Sequence, residues 1–320
     1  MPIATAITTI SWRRCVAPLN HRSTTGLAML KTETLSSQHA QLDLYPVASL
    51  VQALVDDQQR AVQAVQAALP AISAAVEAMV PRMQAGGRLI YVGAGTSGRL
   101  GILDSVELYP TFSWPHERSL ALLAGGLGAM FDAVEGAEDD RQRGVTDLRL
   151  AYPTYNDVIL LVAASGTTPY VLGALQSARP VGALTVGISN NPGTPLLLES
   201  DIGICIDTGE EVISGSTRLK AGTAQKIVLN TLSSALMVRL NKVYGNLMVD
   251  LQPTNAKLVE RAVRLTVHVT GAEPESARAV LAQCHFHVKV AIVALLKQLT
   301  VEQAQQLLDQ ANGSVRAALR

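Results

Sequence analysis

Residues 88–107 read RLIYVGAGTSGRLGILDSVE, and this stretch decides the fold. The apolar run 89–92 has the length of a buried strand and enters a glycine-rich turn, GAGTSG at 93–98, that carries two hydroxyls, Thr96 and Ser97. The turn opens a helical pattern, and beyond its third turn stands a carboxylate, Glu107. A strand, a tight turn and a helix start form an anion site, because unpaired backbone N–H groups and the positive helix end face the ligand. An acid or base near such a cradle points to chemistry on a phosphorylated small molecule.

The same alternation extends outward from this unit. Strand-like runs are predicted at 89–92, 119–124, 158–163, 183–188 and 202–206, with helical patterns between them at about 98–108, 138–151 and 169–179. Strands alternating with helices read as a parallel sheet covered on both faces, a three-layer α/β sandwich with five central strands. Two helices, 47–69 and 71–85, precede it, separated by Pro70 and closed by Gly86-Gly87. A long helix at about 217–244 closes the sheet unit, and another follows Pro253 at about 255–269.

The C-terminal tail is internally repeated. Glu275, Ala277, Leu281, Gln283, Val288 and Ala291 match Glu302, Ala304, Leu308, Gln310, Val315 and Ala318 at a spacing of 27. Each copy reads as helix, tight turn, helix, giving a small doubled helical unit. The expected organisation is an extension at 1–31, helices at 32–85, a sheet domain at 86–245, a connecting helix at 246–271 and the tail at 272–320.

Composition excludes several classes. Twenty-six basic residues balance twenty-six acidic ones, so nothing in the charge points to nucleic acid or an anionic membrane. Aromatic residues make up 4% of the chain, which weakens a base-stacking role. The three cysteines, Cys15, Cys205 and Cys284, are scattered and odd in number, as expected in a reducing cytoplasm. No apolar run is long enough to span a bilayer. Residues 1–30 contain no acid, but their arginines follow the apolar stretch, which argues against a secretory signal and for an extension or an upstream start with Met29 as the first residue.

The motif at 93–98 also fits G-x-G-x-x-G, but a dinucleotide site wants a carboxylate after the second strand. Here that strand runs into Gly125-Gly126. A purely structural turn and a sugar-phosphate cradle stay open. The second loop, Ala164-Ser165-Gly166-Thr167-Thr168-Pro169, repeats the logic at another strand end. Thr168 also suits a helix N-cap with Pro169 at the first helical position. Two such loops at the carboxyl ends of parallel strands favour a ligand. Glu107, among Val106, Leu108, Tyr109 and Pro110, is expected to be buried and partly protonated. Glu138, in EGAEDD, is its candidate partner, although acids at a helix start often only complement the dipole. Ser216, Thr217 and Lys220, in SGSTRLK beside Arg218, are further candidates for anion binding. Cys284, His285 and His287 suggest a metal, but their repeat partners are Ala311, Asn312 and Ser314, which argues against one.

Taken together, GRLIYVGAGTSGRLGILDSVE, AVEGAEDD, AASGTTPY, SGSTRLKAGTAQKIVLN and YGNLMVDLQPTN resemble the sugar isomerase (SIS) domain and, within it, the N-acetylmuramic acid 6-phosphate etherases. The resemblance runs from about Thr32 to the C-terminus, and the tail is similar to ubiquitin-associated (UBA) folds. It implies cleavage of the D-lactyl ether of N-acetylmuramate 6-phosphate by elimination and hydration. It also implies a cytoplasmic homodimer without metal or organic cofactor, with an amino-sugar phosphate as partner. Its two functional glutamates fall on Glu107 and Glu138, the first expected to protonate lactate and the second to move the C2 proton. By analogy, Ser97, Ser165 and Thr168 would receive the phosphate; Gly95 and Thr96 are candidates from the glycine-rich turn itself. A sugar-phosphate regulator and a sugar-phosphate isomerase are the alternatives. The sequence departs from the family at Thr167, where Arg is usual, at Tyr109 in place of Cys, and at Cys284–His287 where turn residues are expected.

Overall fold

The computed structural model describes residues 30–251, 253 and 255–320. Most of the expected extension, with Cys15, lies outside the described residues. Five parallel strands form one sheet: β1 (Leu89–Gly93), β2 (Ser119–Leu123), β3 (Val158–Val162), β4 (Leu184–Ser189) and β5 (Ile202–Cys205), in the order β2-β1-β3-β4-β5. The register sets Gly93 beside both Leu123 and Val162, so the loops leaving β1 and β3 emerge side by side. The order reverses at β1, because β2 lies on one side of it and β3 on the other. Such a switch point opens a crevice at the strands' carboxyl ends.

Alternating side chains on the strands separate two cores. Leu89, Tyr91, Leu160 and Val186 face α3 (Leu69–Gln84) and α8 (Lys220–Arg239), against Met79, Val228 and Leu232. Ile90, Val92, Ile159 and Leu161 face the other layer, against Tyr170, Val171 and Ala174 of α6 (Pro169–Ala178). All of these are essentially solvent-free, and each such side chain stabilises the fold by about 1.5–3 kcal/mol.

The helix preceding β1 on this side is not the pair the sequence suggested. The apolar pattern from residue 47 breaks into α1 (Val47–Asp57) and α2 (Gln59–Ala67), and Pro70 lies inside the first turn of α3. A proline there lacks only an N–H that no helix partner would have used. Between β1 and β2, α4 (Gly95–Phe112) starts within the glycine turn, earlier than predicted, and ends on Ser113 at φ 48°. Its Asp104 is buried and accepts hydrogen bonds from Tyr91 Oη at 2.8 Å, Asn230 Nδ2 at 2.5 Å and Ser233 Oγ at 3.2 Å. Burial and the neighbouring Asp104 carboxylate push the Tyr91 hydroxyl well above its ordinary pKa, so it stays a donor and ties β1 to α4.

In the other layer, α5 (Arg141–Leu150) crosses α6 at very close range. A Cβ on Gly144 would lie 1.9 Å from the Tyr170 carbonyl oxygen, and one on Gly173 would lie 2.0 Å from that of Arg141. Gly144→Ala should therefore destabilise the protein by about 1–3 kcal/mol. Differential scanning calorimetry should show the melting midpoint lowered by roughly 2–5 °C.

Beyond α7 (Pro195–Glu199) and α8, the tail builds its own core. It comprises α9 (Ala256–Thr270), α10 (Pro274–Gln283), α11 (Val288–Lys297), α12 (Val301–Gln310) and α13 (Val315–Ala318), around Leu281, Val288, Ile292, Leu308 and Val315. The repeat holds at the level of single hydrogen bonds. Phe286 N–H donates to Leu281 O and Gly313 N–H to Leu308 O, both at 2.7 Å. His285 (φ 50°) and Phe286 (φ 61°) adopt the left-handed turn that Asn312 and Gly313 adopt in the second copy. His285→Asn, which places there the residue its repeat partner has, is expected to stabilise the tail by about 0.5–1 kcal/mol, readable as a shift in urea midpoint.

Candidate active site

A cavity of about 450 Å³ opens at the carboxyl ends of β1 and β3, within the range of small-molecule sites. Its floor is Ala94, Gly95, Thr96 and Ser97 from the first loop and Ser165, Thr167 and Thr168 from the second. The two loops end in the N-termini of α4 and α6, so two sets of free backbone N–H groups and two positive helix ends face one space. Gly166 makes the second turn possible. It has φ +68°, and a Cβ there would lie 2.2 Å from Thr194 Oγ1 and 2.6 Å from Ser189 Oγ.

Thr168 occupies the N-cap position of α6, yet its side chain caps nothing. Instead its Oγ1 lies 3.3 Å from Ser165 Oγ, and that oxygen accepts the Thr167 N–H at 3.2 Å. Both hydroxyls are thus held in the loop and turned to the cavity. Ser97 is nearly buried beside them.

Glu138 lines the same cavity, next to Asp139. It sits in a short 3-10 turn, Ala137–Asp139, rather than in the helix. The capping role belongs to Asp140, whose carboxylate accepts Arg143 N–H at 2.8 Å. Helix capping therefore does not account for Glu138. Arg99, in the first turns of α4, donates from Nε to the Ala129 carbonyl at 3.0 Å and ties that helix to the segment leading to Glu138.

Three expected site residues are not gathered here. Glu107 is exposed on α4 and not buried, because that face of the helix has no cover among the described residues. It stands twelve residues past Gly95, about 18 Å along the helix axis, and does not line the cavity. Lys220 is fully buried and pairs with Asp57 at 2.8 Å, while the Glu210 carbonyl also accepts from its Nζ. Glu211, wholly buried beneath, accepts the Lys220 and Ala221 N–H groups, and burial raises its pKa. Lys220 therefore fastens α8 to α1 and does not line the cavity. Ser216 also stays off the cavity wall, whereas Gly215 and Thr217 lie on it.

Sequence reasoning missed Glu33, which lines the cavity from a 3-10 turn, Lys31–Glu33, ahead of α1. No periodicity marks that segment, so no spacing could place it near residues 60 and more positions away. Among the described residues, every charged group on the cavity wall is acidic: Glu33, Glu138 and Asp139. The remaining polar groups on the wall are neutral hydroxyls and backbone groups at the two helix ends.

The chain is similar to known proteins along most of its length. Residues 71–179 match the model of the glucokinase regulatory protein N-terminal SIS domain, and residues 134–235 match the SIS domain model. The chain is 57% identical over 289 residues to an N-acetylmuramic acid 6-phosphate etherase of Deinococcus radiodurans, covering 90% of this chain and 95% of that one. It is 48% identical to an N-acetylmuramic acid 6-phosphate etherase of Pectobacterium atrosepticum, covering 92% and 97%. Among solved structures, a phosphoheptose isomerase from Francisella tularensis aligns at 18% identity with a TM-score of 0.47, over 60% of this chain and 98% of that one. A parallel SIS-type sheet with two hydroxyl-bearing loops over one cavity, together with near full-length identity of this order, shows that the chain belongs to the N-acetylmuramic acid 6-phosphate etherase family.

Proposed function

We propose that this protein is a carbon–oxygen lyase that cleaves the D-lactyl ether of N-acetylmuramate 6-phosphate to N-acetylglucosamine 6-phosphate and D-lactate. The observation that carries the reading is the meeting of two hydroxyl-bearing loops at helix starts with Glu138 in one cavity. The 6-phosphate is held by the backbone N–H groups of the two helix starts and the hydroxyls of Thr96, Ser97, Ser165 and Thr168. Thr217 adds a hydroxyl at the rim.

An alkyl ether leaves poorly, so the reaction needs an activated neighbour. Opening the sugar ring gives an aldehyde at C1 that acidifies the C2 proton. Glu138 takes this proton while a second carboxyl group protonates the lactate oxygen leaving C3. Water then adds across the double bond with the roles reversed. Glu107 supplies that second group, and since it lies outside its own chain's cavity, it serves the site of a second copy. The face around it suits burial: Leu103 and Val106 on α4 are 49% and 59% exposed, and Phe131 near the Glu138 turn is 88% exposed. A two-fold homodimer that covers these side chains would carry each Glu107 toward its partner's cavity.

Among the described residues no single helix is long and apolar enough to cross a membrane. The unpaired thiols Cys205 and Cys284 suit the reducing cytoplasm, where the reading places the protein. The match to a regulatory protein's SIS domain favours one other reading, a sensor that binds a sugar phosphate without turnover. Incubation with N-acetylmuramate 6-phosphate and enzymatic detection of D-lactate separates the two. Lactate release supports the lyase, and tight binding without lactate overturns it in favour of the sensor.

A further inference from the structure

Glu33 stands at the wall of the cavity, and the segment that carries it is fastened from both sides. Thr32 is completely buried; its N–H donates to Asn191 Oδ1 at 3.2 Å, and Asn191 Nδ2 donates to Thr32 Oγ1 at 2.9 Å. The same Asn191 amide donates to the Ala164 carbonyl at 2.8 Å, one residue before Ser165, so the Glu33 turn and the second phosphate loop share one anchor. Lys31 pairs with Asp207, and Ser36 N–H donates to Ser214 Oγ at 2.9 Å. The Glu33 carboxylate itself is left over Gly215, where Oε2 would lie 3.5 Å from a Cβ. Among the described residues it makes no hydrogen bond and no ion pair.

An exposed turn this firmly anchored, ending in an uncommitted carboxylate over a binding cavity, points to contact with the ligand. The etherase reaction has a proton transfer that Glu107 and Glu138 do not cover. Before C2 can be acidified, the proton on the C1 hydroxyl must reach the ring oxygen O5. We propose that Glu33 touches the anomeric centre and moves that proton, an inference that rests on the etherase reading above. The carboxylate takes the O1 proton as C1=O forms and the C1–O5 bond breaks. It then returns the proton to O5, directly or through one water, and ends in its starting state.

The test reads ring opening apart from elimination. Magnetisation transfer by NMR measures α/β interchange of N-acetylglucosamine 6-phosphate, and a coupled assay measures D-lactate released from N-acetylmuramate 6-phosphate. The parent protein should show both activities. Glu33→Gln should lose about 10²-fold or more of each, the scale of one positioned acid–base group. Glu33→Asp, which keeps the carboxylate on a shorter arm, should recover part of each. Parent-like behaviour of Glu33→Gln in either measurement overturns the inference, as does a parent that releases lactate without speeding anomer interchange. A parent that releases no lactate brings down the etherase reading instead, and that result is visible without any variant.

Discussion

Replacing Glu138 or Glu107 by Gln is expected to lower the rate of D-lactate release by about 10²–10⁴-fold, the usual contribution of a positioned proton-transfer group. Glutamine keeps the size and hydrogen bonding of the side chain but cannot take up or give a proton. Both glutamates are exposed in the chain, so neither substitution disturbs a core or leaves a buried partner unpaired. The loss should therefore fall on kcat, with the affinity for N-acetylglucosamine 6-phosphate changed little, because an interaction used only in the transition state has gone. Steady-state kinetics and calorimetric titration of each variant check this. Glu138→Gln should also stop exchange of the C2 hydrogen with solvent.

The second large effect is expected at Gly166. Alanine there would have to keep a φ of +68° and place its Cβ 2.2 Å from Thr194 Oγ1. The left-handed conformation alone costs a non-glycine residue about 1–2 kcal/mol. The steric conflict cannot be relieved by the far end of a flexible side chain, because Thr194 is short and buried. The loop must then shift, and the Ser165, Thr167 and Thr168 donors with it. Each hydrogen bond to a charged group is worth about 1.5–3 kcal/mol, so losing one should raise KM by about 10–10²-fold. With no cation on the described cavity wall, nothing compensates. Comparison with unphosphorylated N-acetylmuramate distinguishes lost phosphate recognition from general damage. The parent's preference for the phosphorylated sugar should shrink in Gly166→Ala, whereas mere destabilisation would lower both substrates alike.

The strands were legible because parallel sheet strands are buried on both faces and read as short unbroken apolar runs, such as VILLV at 158–162. The two cavity-lining loops were legible for a local reason as well. Glycine turns and hydroxyls between a strand and a helix act through backbone groups a few residues apart. The doubled tail was legible down to the left-handed turn, although His285 and Phe286 hide it behind unusual residues. Glu107 was misjudged from its neighbours, since Val106 and Leu108 point to different sides of α4 and only Leu108 is buried. Lys220 looked like an anion ligand in SGSTRLK, but its charge is consumed by Asp57, 163 positions earlier. Glu33 was invisible for the opposite reason, because an irregular segment pinned by Thr32 and Asn191 has no period to read.

Mixing two inactive variants tests most directly the claim that each site combines Glu138 of one copy with Glu107 of the other. Glu107→Gln and Glu138→Gln proteins are unfolded together in equal amounts, refolded and assayed for D-lactate release. In a two-fold dimer with shared sites, half of the dimers are mixed and one of their two sites holds both native glutamates, so about a quarter of the parent activity should return. If both glutamates of a site come from the same chain, every site keeps one Gln and the mixture stays as inactive as either variant alone.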